Sequence, residues 1–185
     1  GLESEARALK VGFIKRMEQG LPYVRVELAM SLDGRTAMAS GESQWITGPA
    51  ARAAVQRLRA RASVVLTGAD KVLADGARLT VRPDELGLNA ELTALAMTRP
   101  PLRVLVDGRL RVPLDAPFFQ AGPALVVTCA DAAAHPQYAQ GGHELLSLRG
   151  EDGRVDLLKL SIELARRGIN EVRVEAGASR AGAVA

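Results

Sequence analysis

The sequence is short of cysteine, histidine and aromatic residues, and these shortages exclude several kinds of site. Its 185 residues include one cysteine and two histidines, so no internal disulfide can form, and these residues show no metal-ligand spacing. Cys129 ends an apolar run that begins at Ala124, which predicts a buried thiol. One Trp, two Tyr and three Phe are too few for the stacking surfaces that bind single-stranded RNA. An arginine-rich helix keeps RNA binding as an alternative, but no nucleic-acid partner is expected.

Long apolar segments are also missing. No stretch approaches the roughly 18 apolar residues of a membrane-spanning helix, and the first residues show no basic and apolar signal segment. Hydrophobic residues make up 48% of the chain and charged residues 24%, proportions typical of globular proteins rather than disordered ones. We therefore expect a globular protein of the cytoplasm without a membrane partner.

Acidic residues are absent between Glu42 and Asp70, and this gap accounts for the net charge of +3. Its four basic residues are Arg52, Arg57, Arg59 and Arg61. Arg59, together with Arg82, can clamp a phosphate group in a bidentate manner. The other three arginines of the gap are expected to be solvated.

Short apolar runs that alternate with helical patterns predict the fold class. Alternation of apolar residues from Tyr23 to Met30 indicates a half-buried strand. Four continuous runs indicate strands buried on both faces: residues 64–68, 102–106, 124–128 and 172–174. Helical patterns occupy residues 1–20, 49–62, 131–140 and 155–167. This order predicts an α/β fold with a mostly parallel central sheet flanked by helices.

The helix at residues 49–62 has an apolar arc that is predicted to face the core. Thr47 and Pro49 supply the start signals of this helix. At 100° per residue, five side chains share the arc: Ala51, Ala54, Val55, Leu58 and Ala62.

Loops that follow the predicted strands are where a parallel sheet builds its site. The glycine-rich segment 175–182 is the best phosphate candidate, although it is not a G-x-G-x-x-G dinucleotide motif. Asp75 and Glu175 lie where a carboxylate could move protons, but capping a turn is the alternative role of Asp75. Asp107 is interpreted as part of a turn, and Trp45 as either a core residue or a stacking surface.

Several separated motifs resemble the reductase domain of the bifunctional riboflavin-biosynthesis deaminase/reductase family. They are found at residues 22–24, 29–37, 40–47, 72–75, 79–82, 104–107 and 174–177, in the order of the family. The resemblance covers nearly the whole chain from Pro22 onward. It implies a dihydrofolate-reductase-like fold, NADPH as cofactor, and reduction of the ribose of 5-amino-6-(5-phosphoribosylamino)uracil to a ribityl chain.

The resemblance also implies the site residues. Cofactor contacts are expected from Ala29, Trp45, Lys71, Asp75, Gly177, Ala178, Ser179, Arg180, Ala181, Gly182 and Ala183. Substrate contacts are expected from Ser43, Arg59, Leu79, Arg82 and Glu175. Asp75 and Glu175 are the catalytic candidates, since they can hold sugar hydroxyls and relay a proton. Zinc belongs only to the deaminase half of the family, so no metal is expected here.

The chain departs from the family in three places. Residues 1–21 resemble only the tail of the deaminase domain, and residues 22–185 form a reductase domain that is expected to be incomplete at its C-terminus. Glu27 stands where the family usually has lysine, which reverses a charge at the site. Two alternatives therefore stay open: a catalytically impaired reductase-like nucleotide-binding domain, and a related reductase acting on another pyrimidine or pterin. The family implies a homodimer or larger homo-oligomer.

Overall fold

A computed structural model describes residues 1–36 and 47–175. Its helices are α1 (Glu3–Leu9), α2 (Val11–Gln19), α3 (Pro49–Arg61), α4 (Ala69–Asp75), α5 (Ala90–Met97), α6 (Pro117–Gln120), α7 (Gln137–Gln140) and α8 (Leu157–Arg166). Its strands are β1 (Tyr23–Glu27), β2 (Val64–Gly68), β3 (Leu102–Val106), β4 (Leu125–Thr128), β5 (Glu144–Ser147) and β6 (Glu171–Glu175). Among the described residues, no helix is long and apolar enough to cross a membrane.

The six strands form one sheet in the order β1-β6-β2-β3-β4-β5, and every neighbouring pair is parallel. Alternate residues supply two cores, one on each face. Val65, Leu105 and Val126 pack with Phe118 and Phe119 on one face, and the neighbours of these strand residues pack with Leu160 and Leu164 of α8 on the other. The predicted α/β class with a parallel sheet is confirmed.

Three local predictions are wrong, and some of the short elements were not predicted. The first twenty residues form two helices instead of one, with a break at Lys10. Residues 131–140 hold only a 3-10 turn and the one-turn helix α7. β5 and α5 were not predicted, because β5 contains only two apolar residues and both elements lack clear periodicity. Cys129 is half-buried rather than buried.

Asp107 does serve a turn, since its Oδ2 accepts a hydrogen bond from the backbone N of Val112 at 2.8 Å.

Helix α3 buries its apolar arc only in part: Ala62 reaches the core, but the other members of the arc are partly or fully exposed. Leu58 is 37% exposed, whereas the polar side chains of Gln56 and Arg59 are buried. Arg57 is also not solvated, because its Nη1 donates to the carbonyl of Leu86 at 2.7 Å, and Arg52 donates to the carbonyl of Thr47 at 3.0 Å. Only Arg61 of the three is exposed as predicted. Hydrogen bonds to neighbouring loops, rather than apolar burial, decide how this helix packs.

Helix α2 packs closely against the turn before β6, and Gly12 makes this approach possible. A Cβ atom at position 12 would lie 2.7 Å from the carbonyl oxygen of Asn170. Arg16 on the next turn donates to Asn170 Oδ1 at 2.7 Å.

We expect Gly12→Ala to lower the free energy of unfolding by about 1 kcal/mol, measured by urea denaturation. Overpacking typically costs about 1–3 kcal/mol, which exceeds the gain of about 1 kcal/mol from the better helix propensity of alanine. An increase in stability would contradict the close packing, because it is the result expected for a glycine on a free helix surface.

Candidate functional site

A cavity of about 570 Å³ opens where β1, β6 and β2 end. Parallel sheets bind ligands at the carboxyl ends of their strands, and a volume of this size suits a small-molecule site. Its charged lining comes from strand ends, from α3 and α4, and from residues 76–85. These charged residues are Glu27, Arg52, Arg59, Lys71, Asp75, Arg78, Arg82, Glu85 and Glu175.

The loop 76–82 forms one wall of the cavity and is held from beneath by buried polar side chains. Arg59 Nη1 donates to the carbonyl of Thr80 at 2.6 Å, and Gln56 Oε1 accepts from the backbone N of Arg82 at 3.0 Å. Arg103, a buried residue of β3, donates to the carbonyl of Arg78 at 3.1 Å. Burial lowers the pKa of the Arg103 guanidinium from its ordinary value, and a guanidinium stays charged at neutral pH.

Leu79 lies within this wall in a conformation that is unusual for leucine. Its φ is +56°, in the left-handed region that non-glycine residues seldom adopt. Its side chain is buried in the core that contains Val65 and Phe118. Carbonyl hydrogen bonds at Arg78 and Thr80, on either side, stabilise the backbone where it lines the cavity.

Glu175, the last residue of β6, forms a buried ion pair with Arg59. The Nε–Oε1 and Nη2–Oε2 distances are 2.9 and 2.6 Å, and the two side chains are only 8% and 6% exposed. Its backbone carbonyl accepts from Thr67 Oγ1 at 2.7 Å. Arg59 therefore contacts both oxygens of the carboxylate as a bidentate partner, and Glu175 lines the cavity.

A second arginine, Arg173, meets the same carboxylate from within β6. Arg173 Nε lies 3.4 Å from Glu175 Oε1, and its Nη2 lies 2.5 Å from Glu27 Oε2. Sequence reasoning missed Arg173, although a signal was present: Val-Arg-Val-Glu occurs at residues 24–27 and again at 172–175.

Asp75 ends helix α4 on the side of the cavity that faces loop 76–82. Its Oδ2 accepts from Lys71 Nζ, one helical turn earlier, at 2.9 Å. The helix is capped by Gly76, whose φ is +57°, so capping a turn does not account for the Asp75 side chain. Both side chains of the pair stay about one-third exposed, which leaves the carboxylate accessible from the cavity.

Seven of the predicted site residues line this one cavity: Ala29, Arg59, Lys71, Asp75, Leu79, Arg82 and Glu175. Arg82 is half-exposed and pairs with Glu85 at 2.5 Å. The remaining predicted residues lie outside the described part of the chain: Ser43, Trp45, Gly177, Ala178, Ser179, Arg180, Ala181, Gly182 and Ala183. Within residues 1–36 and 47–175, no three His, Cys, Asp or Glu side chains come together as a metal site.

The family model described as "RibD C-terminal domain" matches residues 22–185. The chain belongs to this family. It is 42% identical over 184 residues to the riboflavin biosynthesis protein RibD of Escherichia coli K12, covering 98% of this chain and 49% of that protein. A structure of Acinetobacter baumannii RibD superimposes with a TM-score of 0.78 at 38% identity, over 98% of this chain and 47% of that one.

A third relative carries a more detailed description. It is the crystal structure of a diaminohydroxyphosphoribosylaminopyrimidine deaminase/5-amino-6-(5-phosphoribosylamino)uracil reductase from Thermotoga maritima. The TM-score is 0.75 at 28% identity, over 97% of this chain and 46% of that chain. The chain thus spans about half the length of the RibD proteins that it matches. That residues 1–21 derive from a deaminase domain stays a prediction.

Proposed function

We propose that this chain reduces 5-amino-6-(5-phosphoribosylamino)uracil to its ribityl product with NADPH. One observation carries the proposal: two predicted catalytic carboxylates, Asp75 and Glu175, line the same cavity at the carboxyl ends of the sheet. Glu175 is paired with Arg59 of α3, and Asp75 is paired with Lys71 of its own helix, α4. The reductase named for the Thermotoga maritima protein supports the choice of substrate.

The two carboxylates have different surroundings, which suits different tasks. Glu175 is buried and held by Arg59, so it serves to orient sugar hydroxyl groups. Asp75 is more exposed and bears a single lysine partner, so it is the better group to exchange a proton with the opening sugar ring. Holding the sugar between two fixed groups supplies the alignment on which the rate of such a reaction depends.

Phosphate recognition is assigned to the arginines that line the cavity. Arg82 is half-exposed beside it, which lets its guanidinium turn toward an anion. Three of the five N–H groups of Arg59 donate to Glu175 and Thr80, which leaves two that are not used by the described residues. A guanidinium with N–H groups that no described residue uses, close to a second arginine, suits the two-pronged recognition of a phosphate.

The described residues also fit a nicotinamide dinucleotide with an additional phosphate. Arg52, Lys71 and Arg78 add cationic groups to the lining, while Ala29 provides a small side chain at the end of β1. Ala29, Lys71 and Asp75 would contact the cofactor. When bound, NADPH supplies the hydride that reduces C1′ of the open sugar.

Turnover and ligand binding test this proposal directly. The purified protein is expected to oxidise NADPH only when the phosphoribosylaminouracil is present, and to yield the ribitylamino product by mass spectrometry. NADPH is expected to raise the melting temperature more than NADH does. At about 100 times its Kd, a ligand stabilises the folded state by about 2.7 kcal/mol, which corresponds to roughly 5–10 °C.

The outcomes separate this proposal from its alternatives. A melting shift with NADPH but no turnover would identify a nucleotide-binding domain without activity. Turnover only with another pyrimidine or a pterin would assign a different substrate to the same cavity. The absence of both a melting shift with NADPH and turnover would contradict the proposal. A homo-oligomeric state and a cytoplasmic location stay predictions.

A further inference from the structure

The two Val-Arg-Val-Glu segments lie side by side in β1 and β6. The strands are parallel and pair residue for residue, so Arg25 stands beside Arg173 and Glu27 beside Glu175. Like charges in directly adjacent positions destabilise a sheet. The identical sequences therefore create two like-charge contacts that the structure must compensate.

Diagonal ion pairs provide the compensation, and they differ between the two ends of the strands. At the amino end, Arg25 pairs with Glu171 at 3.2 Å on the surface. At the carboxyl end, Arg173 contacts both Glu27 and Glu175, and its side chain is only 2% exposed. Arg59 completes the second group, which we name the buried charge cluster: Glu27, Arg59, Arg173 and Glu175.

The charges of the buried charge cluster sum to zero, and Arg173 lies between its two carboxylates. Arg59 meets Glu175 but makes no hydrogen bond with Glu27 among the described contacts. Without Arg173, Glu27 and Glu175 would repel each other across one strand spacing. Glu27, whose side chain is 25% exposed, would lose its cationic partner, and Glu175 would keep only Arg59. The Glu175 carboxylate would then turn away from Glu27, and so from the orientation it has in the cavity.

We propose that Arg173 is a positioning residue that sets the orientation of Glu175, and that Glu27 and Arg173 act as one coupled pair. The inference rests on the proposed function. It also explains how an acidic residue is accommodated at position 27, because Arg173 on the adjacent strand neutralises the charge of Glu27. A lysine at position 27 would be repelled by Arg173. It would be tolerated only if position 173 held a neutral residue.

A double-mutant cycle over positions 27 and 173 tests the coupling, using kcat, KM and melting temperature of the purified protein. We expect Arg173→Met to lower kcat at least about tenfold with a smaller change in KM, since a misoriented Glu175 weakens the transition state more than binding. Glu27→Gln combined with Arg173→Met is expected to recover part of that loss, because only one carboxylate then needs a partner. Arg173→Lys is expected to retain more activity than Arg173→Met.

Arg25→Met is the matched control, because it removes an arginine from the same strand pair and the same kind of diagonal pair. The Arg25–Glu171 pair is exposed and Arg25 does not line the cavity, so kcat is expected to change less than about twofold. Equal effects of Arg25→Met and Arg173→Met on kcat would overturn the positioning role. Additive effects of Glu27→Gln and Arg173→Met would overturn the coupling.

A second pair of variants covers the case in which Arg173→Met does not fold. Glu27→Lys is expected to lower the melting temperature and kcat, and Glu27→Lys with Arg173→Met is expected to be more stable and more active than Glu27→Lys. Greater activity of Glu27→Lys than of the unmodified protein would overturn the inference. Absence of turnover in the unmodified protein would instead contradict the proposed function, while the melting temperatures of the cycle would still decide the coupling.

Discussion

Replacing Asp75 with asparagine is expected to lower kcat by about 100-fold or more, while the melting temperature changes by only a few degrees. A positioned carboxyl group that transfers a proton contributes about 10²–10⁴-fold to a rate, and an amide of nearly the same shape cannot transfer it. The Lys71–Asp75 pair is partly exposed, so its loss costs less than about 1 kcal/mol. Steady-state kinetics and thermal unfolding of the same preparation measure both effects.

Asp70→Asn provides the control for this variant. Asp70 lies at the start of the same helix and pairs with Arg111 at 2.5 Å, but it does not line the cavity. The Asp70→Asn protein should retain the kcat of the unmodified protein within about twofold, since exposed ion pairs contribute little. A kcat for Asp75→Asn equal to that of the unmodified protein would remove Asp75 from the chemistry.

Replacing Arg59 with methionine is expected to lower the free energy of unfolding by about 3–5 kcal/mol, the usual effect of removing one partner from a buried pair. Glu175, whose side chain is only 6% exposed, would be left with only the longer contact to Arg173. The carbonyl of Thr80 would also lose its donor, so the wall of the cavity is expected to loosen. Urea denaturation measures the loss, and turnover is expected to fall with it.

Two further variants separate the ion pair from simple packing. Arg61→Met removes an exposed arginine from the same helix and should change stability by less than about 0.5 kcal/mol. Arg59→Met combined with Glu175→Leu should cost less than the sum of the two single changes, because no unpaired carboxylate remains. A loss for Arg59→Met as small as that for Arg61→Met would show that the buried pair contributes no stability.

Local sequence signals predicted the strands that are buried on both faces. The runs at residues 64–68 and 102–106 coincide with β2 and β3, because continuous apolar residues bounded by turns favour such strands. The position of the site at the strand ends also followed from the order of strands and helices. Short elements with mixed burial, such as β5, gave no comparable signal.

The buried face of α3 could not be predicted from the sequence. Its apolar arc predicted a face that the structure leaves partly exposed at Leu58. Gln56 accepts a hydrogen bond from the backbone N of Arg82. Arg59 donates to the carbonyl of Thr80 and to the carboxylate of Glu175, which lies 116 residues after Arg59 in the sequence. Periodicity within one helix carries no information about such distant hydrogen-bond partners.

The sequence by itself determined the α/β class, and it indicated the arginines of α3 and the two candidate carboxylates, Asp75 and Glu175, because these depend on local patterns and residue types. Only the tertiary structure decided which charges meet. The shortage of acidic residues between Glu42 and Asp70 pointed to three solvated arginines and to Arg59 as a phosphate ligand, but not to the buried pair that Arg59 forms with Glu175. In the same way, two identical segments become a coupled pair only because β1 and β6 are adjacent and in register. Pairing of distant strands is a property of the whole fold, and it sets the electrostatics of the site.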